Sequence, residues 1–184
     1  MSIERIYFEL EKHNSDEYYI ELAQNDVLFI PVVIDIMIDD KNSVNLWAES
    51  IIEKLSEVNP LVVYPYIGYI SKLIGLNDSV NSLSAWRIIC NLLVCDYNNF
   101  WQNLRDKYYK ALNSSCISEF SIACACARKI ADAKPDEQKH IEEILRSIDN
   151  RSFYLGESVC EQAKKIAKEK AGEVLDSFAC NNNK

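Results

Sequence analysis

Glycine and proline are scarce, four of each in 184 residues. Tight turns draw on both, so the shortage counts against an all-β sandwich or barrel, whereas long helices joined by short polar loops need few. Basic charge is also short, 20 Lys and Arg against 28 Asp and Glu, for a net charge of −8. Affinity for a nucleic-acid backbone comes largely from neutralised phosphates, and the chain shows no basic patch that would supply it. Its nearest approach is Lys164, Lys165, Lys168 and Lys170, interleaved with Glu161, Glu169, Glu173 and Asp176. That run reads as a solvated helix face with i,i+4 pairs. Anionic membrane surfaces are disfavoured by the same deficit. The longest apolar stretch, Val27 to Ile38, carries Asp35 and falls short of the roughly 20 residues that span a bilayer.

Catalytic motifs are missing too. The chain contains no Gly-x-Ser-x-Gly, phosphate loop, dinucleotide fingerprint or His-Glu-x-x-His, and four glycines leave little from which to build a phosphate cradle. Its two histidines, His13 and His140, stand isolated. The start, Met1-Ser2-Ile3-Glu4-Arg5, has no apolar signal core, and seven cysteines are an odd number. Reduced thiols and a cytoplasmic location are expected. No cofactor, metal, nucleic acid or membrane is expected as a partner.

What is present is helical periodicity. An apolar fraction of 48% over 184 residues suits one ordinary domain. Ile3, Ile6, Tyr7 and Leu10 form a first stripe, and Ser15 or Asp16 can cap a turn holding Tyr18, Tyr19 and Leu22. Asn25 or Asp26 precedes an apolar helix from about Val27 to Ile38, its β-branched content outweighed by its length. After the polar turn Asp39 to Ser43 a helix carries Val44, Trp47, Ala48, Ile51, Ile52 and Leu55. Asn59-Pro60 starts another, running to about Leu73, and Gly75 to Ser79 is the next turn. Further helices are expected around Trp86 and Leu93, Trp101 and Leu112, Phe120 and Ile130, Ile141 and Ile148, and from Leu155 to Phe178.

The helices repeat. Val27 to Ile34 aligns with Leu61 to Gly68 at an offset of 34, each with a proline in the fifth place, Pro31 and Pro65. Trp47, Ala85, Ile122 and Val159 head stripes offset by 38, 37 and 37. Each continues four residues on (Ile51, Ile89, Cys126, Ala163) and eight on (Leu55, Leu93, Ile130, Ala167). A period near 37 with two helices per unit signals a helical solenoid. Asp26 to Pro31, then Ile38-Asp39, Val44 and Ala48, resemble the HEAT-repeat pattern. Asn45 stands where that family usually has an arginine paired to the turn aspartate, which leaves neighbouring helical-repeat families open.

The resemblance implies an all-α solenoid of about four to five stacked antiparallel helix pairs. One domain is expected over residues 1–178, its clearest repeats in 26–93, followed by a frayed tail over 179–184. The first stripe and the charged last helix suit polar caps, so a complete array is expected.

Several residue groups bear on function. Cys124-Ala125-Cys126 points its thiols about 200° apart on a helix, a poor metal pair. With Cys90 and Cys160 these fall among small apolar residues, so core positions resistant to thiol reagents are expected. Asp35 is an acid inside an apolar run, either facing a groove or, the favoured reading, at the solvent edge. Tyr64, Tyr66 and Tyr69 share one helix, and Trp101, Tyr108 and Tyr109 another. The resemblance puts such second helices on the concave face. Trp101 and Tyr108, seven apart, read as core, whereas Tyr66 and Tyr69 lie on a face distinct from Val62 and Val63 and suit a partner.

The expected function is therefore a non-enzymatic interaction or scaffold module whose concave face, with Asp35, Tyr66 and Tyr69, takes a peptide, helix or basic protein surface. A self-assembling structural subunit, and so a homo-oligomer, is the alternative. The chain also has the residue types of the HEAT-like alkyl-base DNA glycosylases (Trp47, Trp86, Trp101, Asp35) but not the cationic groove these need.

Overall fold

The computed structural model describes residues 2–12, 14–39, 44–74, 79–156 and 158–180. The chain is all-α apart from one two-stranded hairpin. His13, most of the turn after Asp39, the turn at Gly75 to Asp78 and the tail beyond Cys180 lie outside the described residues. Contacts divide the chain into two compact units, Met1–Asp96 and Tyr97–Lys184, where the repeat pattern runs as one array over 1–178.

The first unit opens with α1 (Ile3–Glu11), α2 (Asp16–Asn25), α3 (Phe29–Ile38) and α4 (Asn45–Val58). Ser2 and Ser15 cap α1 and α2 by accepting from the backbone of Arg5 and Tyr18. Asp26 accepts from the Leu28 N–H at 2.9 Å, holding Val27 and Leu28 outside the helix that begins at Phe29. Tyr19 is the hub of this end, stacked on Phe29, edge-on to Trp47 and donating its hydroxyl to the Glu9 carbonyl at 2.9 Å.

The single helix expected from Pro60 to Leu73 is instead broken into α5 (Pro60–Val63), a 3₁₀ turn (Tyr64–Tyr66), α6 (Ile67–Ile70) and a second 3₁₀ turn (Ser71–Leu73). Pro65 is the cause. It has no N–H to bond back to Leu61, and its ring crowds that carbonyl, so the chain tightens and Ile67 bonds three residues back to Tyr64. Pro31 sits in the first turn of α3, where a proline costs nothing. The unit ends with α7 (Ser79–Leu92), and Tyr64 donates to the Asp96 carboxylate at 2.6 Å.

α4 and α7 lie side by side along a polar seam. Ser84 donates to Glu49 at 2.8 Å, Arg87 meets Glu53 at 3.9 Å, and Asn91 donates to Ser56 at 2.9 Å. Partners advance together along the two helices, each pair 34 or 35 residues apart, so α4 and α7 run parallel.

The second unit contains α8 (Trp101–Leu112), α9 (Ile117–Ala133), α10 (Gln138–Arg146) and α11 (Glu161–Ala179). α9 and α11 also run parallel. Phe120 packs on Phe153 just ahead of α11, Cys124 lies in the field of Lys170 and Glu173, and Arg128 donates to the Ser177 carbonyl. Ala163, Ala167 and Ala171, four apart and fully buried, present α11's small side chains to the core.

The last helix does not begin at Leu155 as its periodicity suggests. Tyr154–Leu155 and Ser158–Val159 form β1 and β2 of an antiparallel hairpin, with Gly156 at φ +65, a conformation that costs glycine little. Cys160 then caps α11, its sulfur accepting from the Ala163 N–H. Val159, expected at the head of a helical stripe, lies exposed on a strand. The stripe residues four and eight places on are buried in all four series.

Cys90, Cys124 and Cys126 are buried, as core positions should be. Cys160 is half-exposed because it sits at the hairpin junction and not within a helix face. Cys95 and Cys116 are half-exposed also, and Cys180 is exposed.

Candidate protein-binding face

The offset of 34 between α3 and the Pro60–Leu73 segment is mirrored in burial. Phe29 and Val63, Ile30 and Tyr64, Val33 and Ile67, and Ile36 and Ile70 are buried pairwise. Val27 and Leu61 are both exposed, at 89% and 60%. Val32 and Tyr66 are both half-buried, and Asp35 and Tyr69 are both exposed. The pairing departs at Leu28 and Val62, at Pro31 and Pro65, and at Ile34 and Gly68, where one member is more open than the other.

Of the three residues singled out from sequence, Asp35 and Tyr69 hold equivalent places in the two aligned segments, and Tyr66 matches Val32. Asp35 lies exposed on α3 and meets no basic side chain among the described residues. Tyr69 is 54% exposed, with the Lys72 ammonium 4.6 Å from its ring centroid. Tyr66 lies half-buried one turn earlier. Tyr64, from the same run, is core.

Sequence reasoning missed the apolar company of these residues. Leu61, Pro65 and Tyr69 follow one another at spacings of four, all exposed, and Val27 and Leu28 are exposed ahead of α3.

Charge separates with the two units. Residues 1–96 hold fifteen acids and six bases, a net −9, and residues 97–184 hold thirteen and fourteen, a net +1. From Val27 to Asp39 there is no basic residue at all, and Lys72 is the one base between Pro60 and Leu73.

The second unit contains Glu137, which accepts from three side chains, at the end of a 3₁₀ turn (Pro135–Glu137). Its carboxylate accepts from Trp101 Nε1 at 2.9 Å, Arg105 Nε at 3.1 Å and the Tyr109 hydroxyl at 2.6 Å. Burial pushes the Glu137 carboxyl up, but the bonds from Tyr109, Trp101 and Arg105, with the guanidinium charge, outweigh it and hold it below its ordinary value. Burial, then the bond to Glu137, raises the Tyr109 phenol. His140 lies edge-on to Tyr109 at 4.5 Å, exposed, with Glu143 3.7 Å away. A carboxylate so fully engaged is held in its charged form and committed to tying α8 to the turn before α10. Trp101 and Tyr108 are buried, the core role their spacing suggests.

Among the described residues, no three His, Cys, Asp or Glu side chains come together as a metal site. No helix there is long and apolar enough to cross a membrane. An open depression in the first unit is lined by the polar and charged residues Asp16, Ser50, Glu53, Lys54 and Glu57 and is not an enclosed chamber. No protein-family model, curated protein or solved structure matches the chain significantly.

Proposed function

We propose that this protein is a non-enzymatic, HEAT-like α-solenoid module that binds another protein on the outward face shared by α3 and the Pro60–Leu73 segment. The observation that carries the reading is the matched exposure at an offset of 34, which sets Val27, Asp35, Leu61 and Tyr69 in equivalent positions on successive helical segments. Exposed apolar residues scattered singly need no explanation, but a repeated face of them marks an interaction surface. The parallel packing of α4 with α7, and of α9 with α11, supports the solenoid reading, since successive repeats stack like helix on like helix. A cytoplasmic location belongs to the same reading, on the odd cysteine count.

The test is retention of a specific protein by the immobilised chain at low and high salt, beside a Tyr66→Ala/Tyr69→Ala variant with an unchanged circular-dichroism spectrum. The reading expects the partner to be lost in the variant. Retention indifferent to the variant removes the face from consideration. Self-assembly is the second reading, favoured by the exposure of Val27 and Leu61, and would show as a mass that rises with concentration. A DNA-glycosylase reading finds little support in a first unit with fifteen acids to six bases.

A further inference from the structure

The second unit has an apolar surface of its own, and strand pairing sets its members side by side. β1 has neighbours on both sides. Its Tyr154 N–H donates to the Ser115 carbonyl at 3.0 Å, in a parallel bridge with Cys116, and its other side pairs with β2. Tyr154 is in register with Val159, so Cys116, Tyr154 and Val159 form one row across the strands. Val159 is 69% exposed and Tyr154 37%. Phe153 turns to the opposite face, where it is buried against Phe120 and anchors the hairpin.

β2 is the open edge. The Cys160 N–H turns inward to the Phe153 carbonyl at 3.1 Å, so by the alternation of an antiparallel ladder the N–H and C=O of Val159 turn outward. Neither is taken up among the described residues. An unpaired donor and acceptor beside an exposed β-branched side chain form a template for one more strand. A helix has its backbone groups already bonded and has none to offer this edge, so the ligand that meets it is extended.

Charge decides which extended segment fits. Glu119, in the first turn of α9 and in the field of Cys116, and Glu161, in the first turn of α11, are both exposed and meet no base among the described residues. The bases nearby are engaged elsewhere. Lys168 meets Asp149 at 2.6 Å with Lys164 in the same field, Lys165 meets Glu169 at 3.9 Å, and Arg151 is turned onto the carbonyls of Leu112 and Ser114. The N-termini of α9 and α11 supply roughly half a positive charge each, which offsets only part of the two carboxylates. A basic segment is therefore drawn to this end of the unit. A second copy of the chain fits less well. A two-fold axis through Val159 would set residue 161 of each copy opposite residue 157 of the other, glutamate against glutamate.

We propose that the open edge of β2 receives an extended segment of another protein in which an apolar residue stands between two basic ones, each two places away. The apolar side chain seats on Val159 and Tyr154, the backbone pairs with Val159, and a flanking lysine or arginine meets Glu161. The site uses residues of the second unit only and does not depend on the surfaces of α3 and the Pro60–Leu73 segment.

The test is an amide chemical-shift titration of the whole isotope-labelled chain with a designed peptide of about nine residues, within the usual length of a strand. The peptide carries lysine, valine and lysine at alternate positions among threonines. In one control glutamate replaces lysine, and in two others alternate backbone nitrogens are methylated, along one edge or along the other. Saturable shifts confined to Cys116, β1, β2 and the start of α11 are expected. One methylation pattern should weaken binding tenfold or more and the other change it by less than about twofold, because only one edge of the peptide faces β2. Glu161→Lys should weaken binding about tenfold and reduce its salt dependence, and Val159→Thr, which keeps a β-branched residue in the hairpin, about fivefold. Thermal melts check that the variants fold, and Glu161→Gln serves for the charge if Glu161→Lys is destabilised.

The proposal is overturned if the glutamate peptide binds as well, if the two methylated peptides bind alike, or if the lysine peptide does not saturate. Shifts that map instead to α3 and the Pro60–Leu73 segment would overturn this site while supporting the first-unit reading. Shifts of Ser158 and Val159 that grow with protein concentration alone would assign the edge to a second copy of the chain and overturn the basic partner.

Discussion

Glu137 collects three donors from a single helix, because Trp101, Arg105 and Tyr109 recur every fourth residue along α8 and so project from one side of it. Its carboxyl is held below the ordinary value of 4.5, so the folded chain binds that proton less readily than the unfolded chain does. The stability it contributes is therefore fully present above the unfolded value and is lost as pH falls through the lower, folded one. Glu137→Gln should destabilise the protein by about 2 kcal/mol at neutral pH, as expected for hydrogen bonds to a buried charged group. The gap between wild type and variant should close towards pH 3, and urea unfolding at the two pH values measures it. A gap that is the same at both would mean that the charge of Glu137 is not what holds the turn to α8. The spacing of Trp101, Arg105 and Tyr109 was visible in the sequence. Their common partner was not, because Glu137 is an ordinary acid in a charged stretch until the turn after Pro135 brings it inward.

At the scale of elements, helix existence was legible nearly everywhere and helix interruption was not. Periodicity reports which face is buried, and a 3₁₀ turn or a hairpin with the same apolar residues gives much the same signal. Pro65 breaks its segment while Pro31 does not, a difference of position within the turn that the shared alignment conceals. The hairpin before α11 was missed because Val159 and Cys160 continue a stripe that is helical only from Ala163 onward. That Tyr66 and Tyr69 stand off the core stripe was legible from their spacing, whereas the exposure of Leu61 and Pro65 was not.

The junction between α8 and α9 depends on a residue from the far side of the unit. Arg151 forks onto the carbonyls of Leu112 and Ser114 at 3.1 and 2.7 Å, with its plane 4.9 Å from the Phe153 ring centroid. These carbonyls lie where α8 has run out of its own donors. Lysine keeps the charge but cannot satisfy two carbonyls in one planar fork, so Arg151→Lys should cost roughly 1–2 kcal/mol. A thermal melt of that variant is the measurement, and an unshifted midpoint would assign the junction to Phe120 and Phe153 alone.

Across the whole molecule, the seams that join parallel helices stay within a unit: Glu49, Glu53 and Ser56 of α4 answer α7, while Cys124 and Arg128 of α9 answer α11. Contacts that close within a segment make it a cooperative block in local unfolding. The two variants above both lie in residues 97–184, which makes them probes of where cooperativity stops. If each unit opens by itself, Glu137→Gln should speed amide exchange across α8 to α11 and leave α3, α4 and α7 at wild-type protection. Peptide-resolved hydrogen exchange reads both regions in one experiment. Loss of protection spread equally over both would show that the chain opens as one cooperative block. Loss confined to the second would leave α3 and the Pro60–Leu73 segment as a platform whose rigidity depends on its own core: Tyr19, Phe29, Ile52, Tyr64 and Trp86.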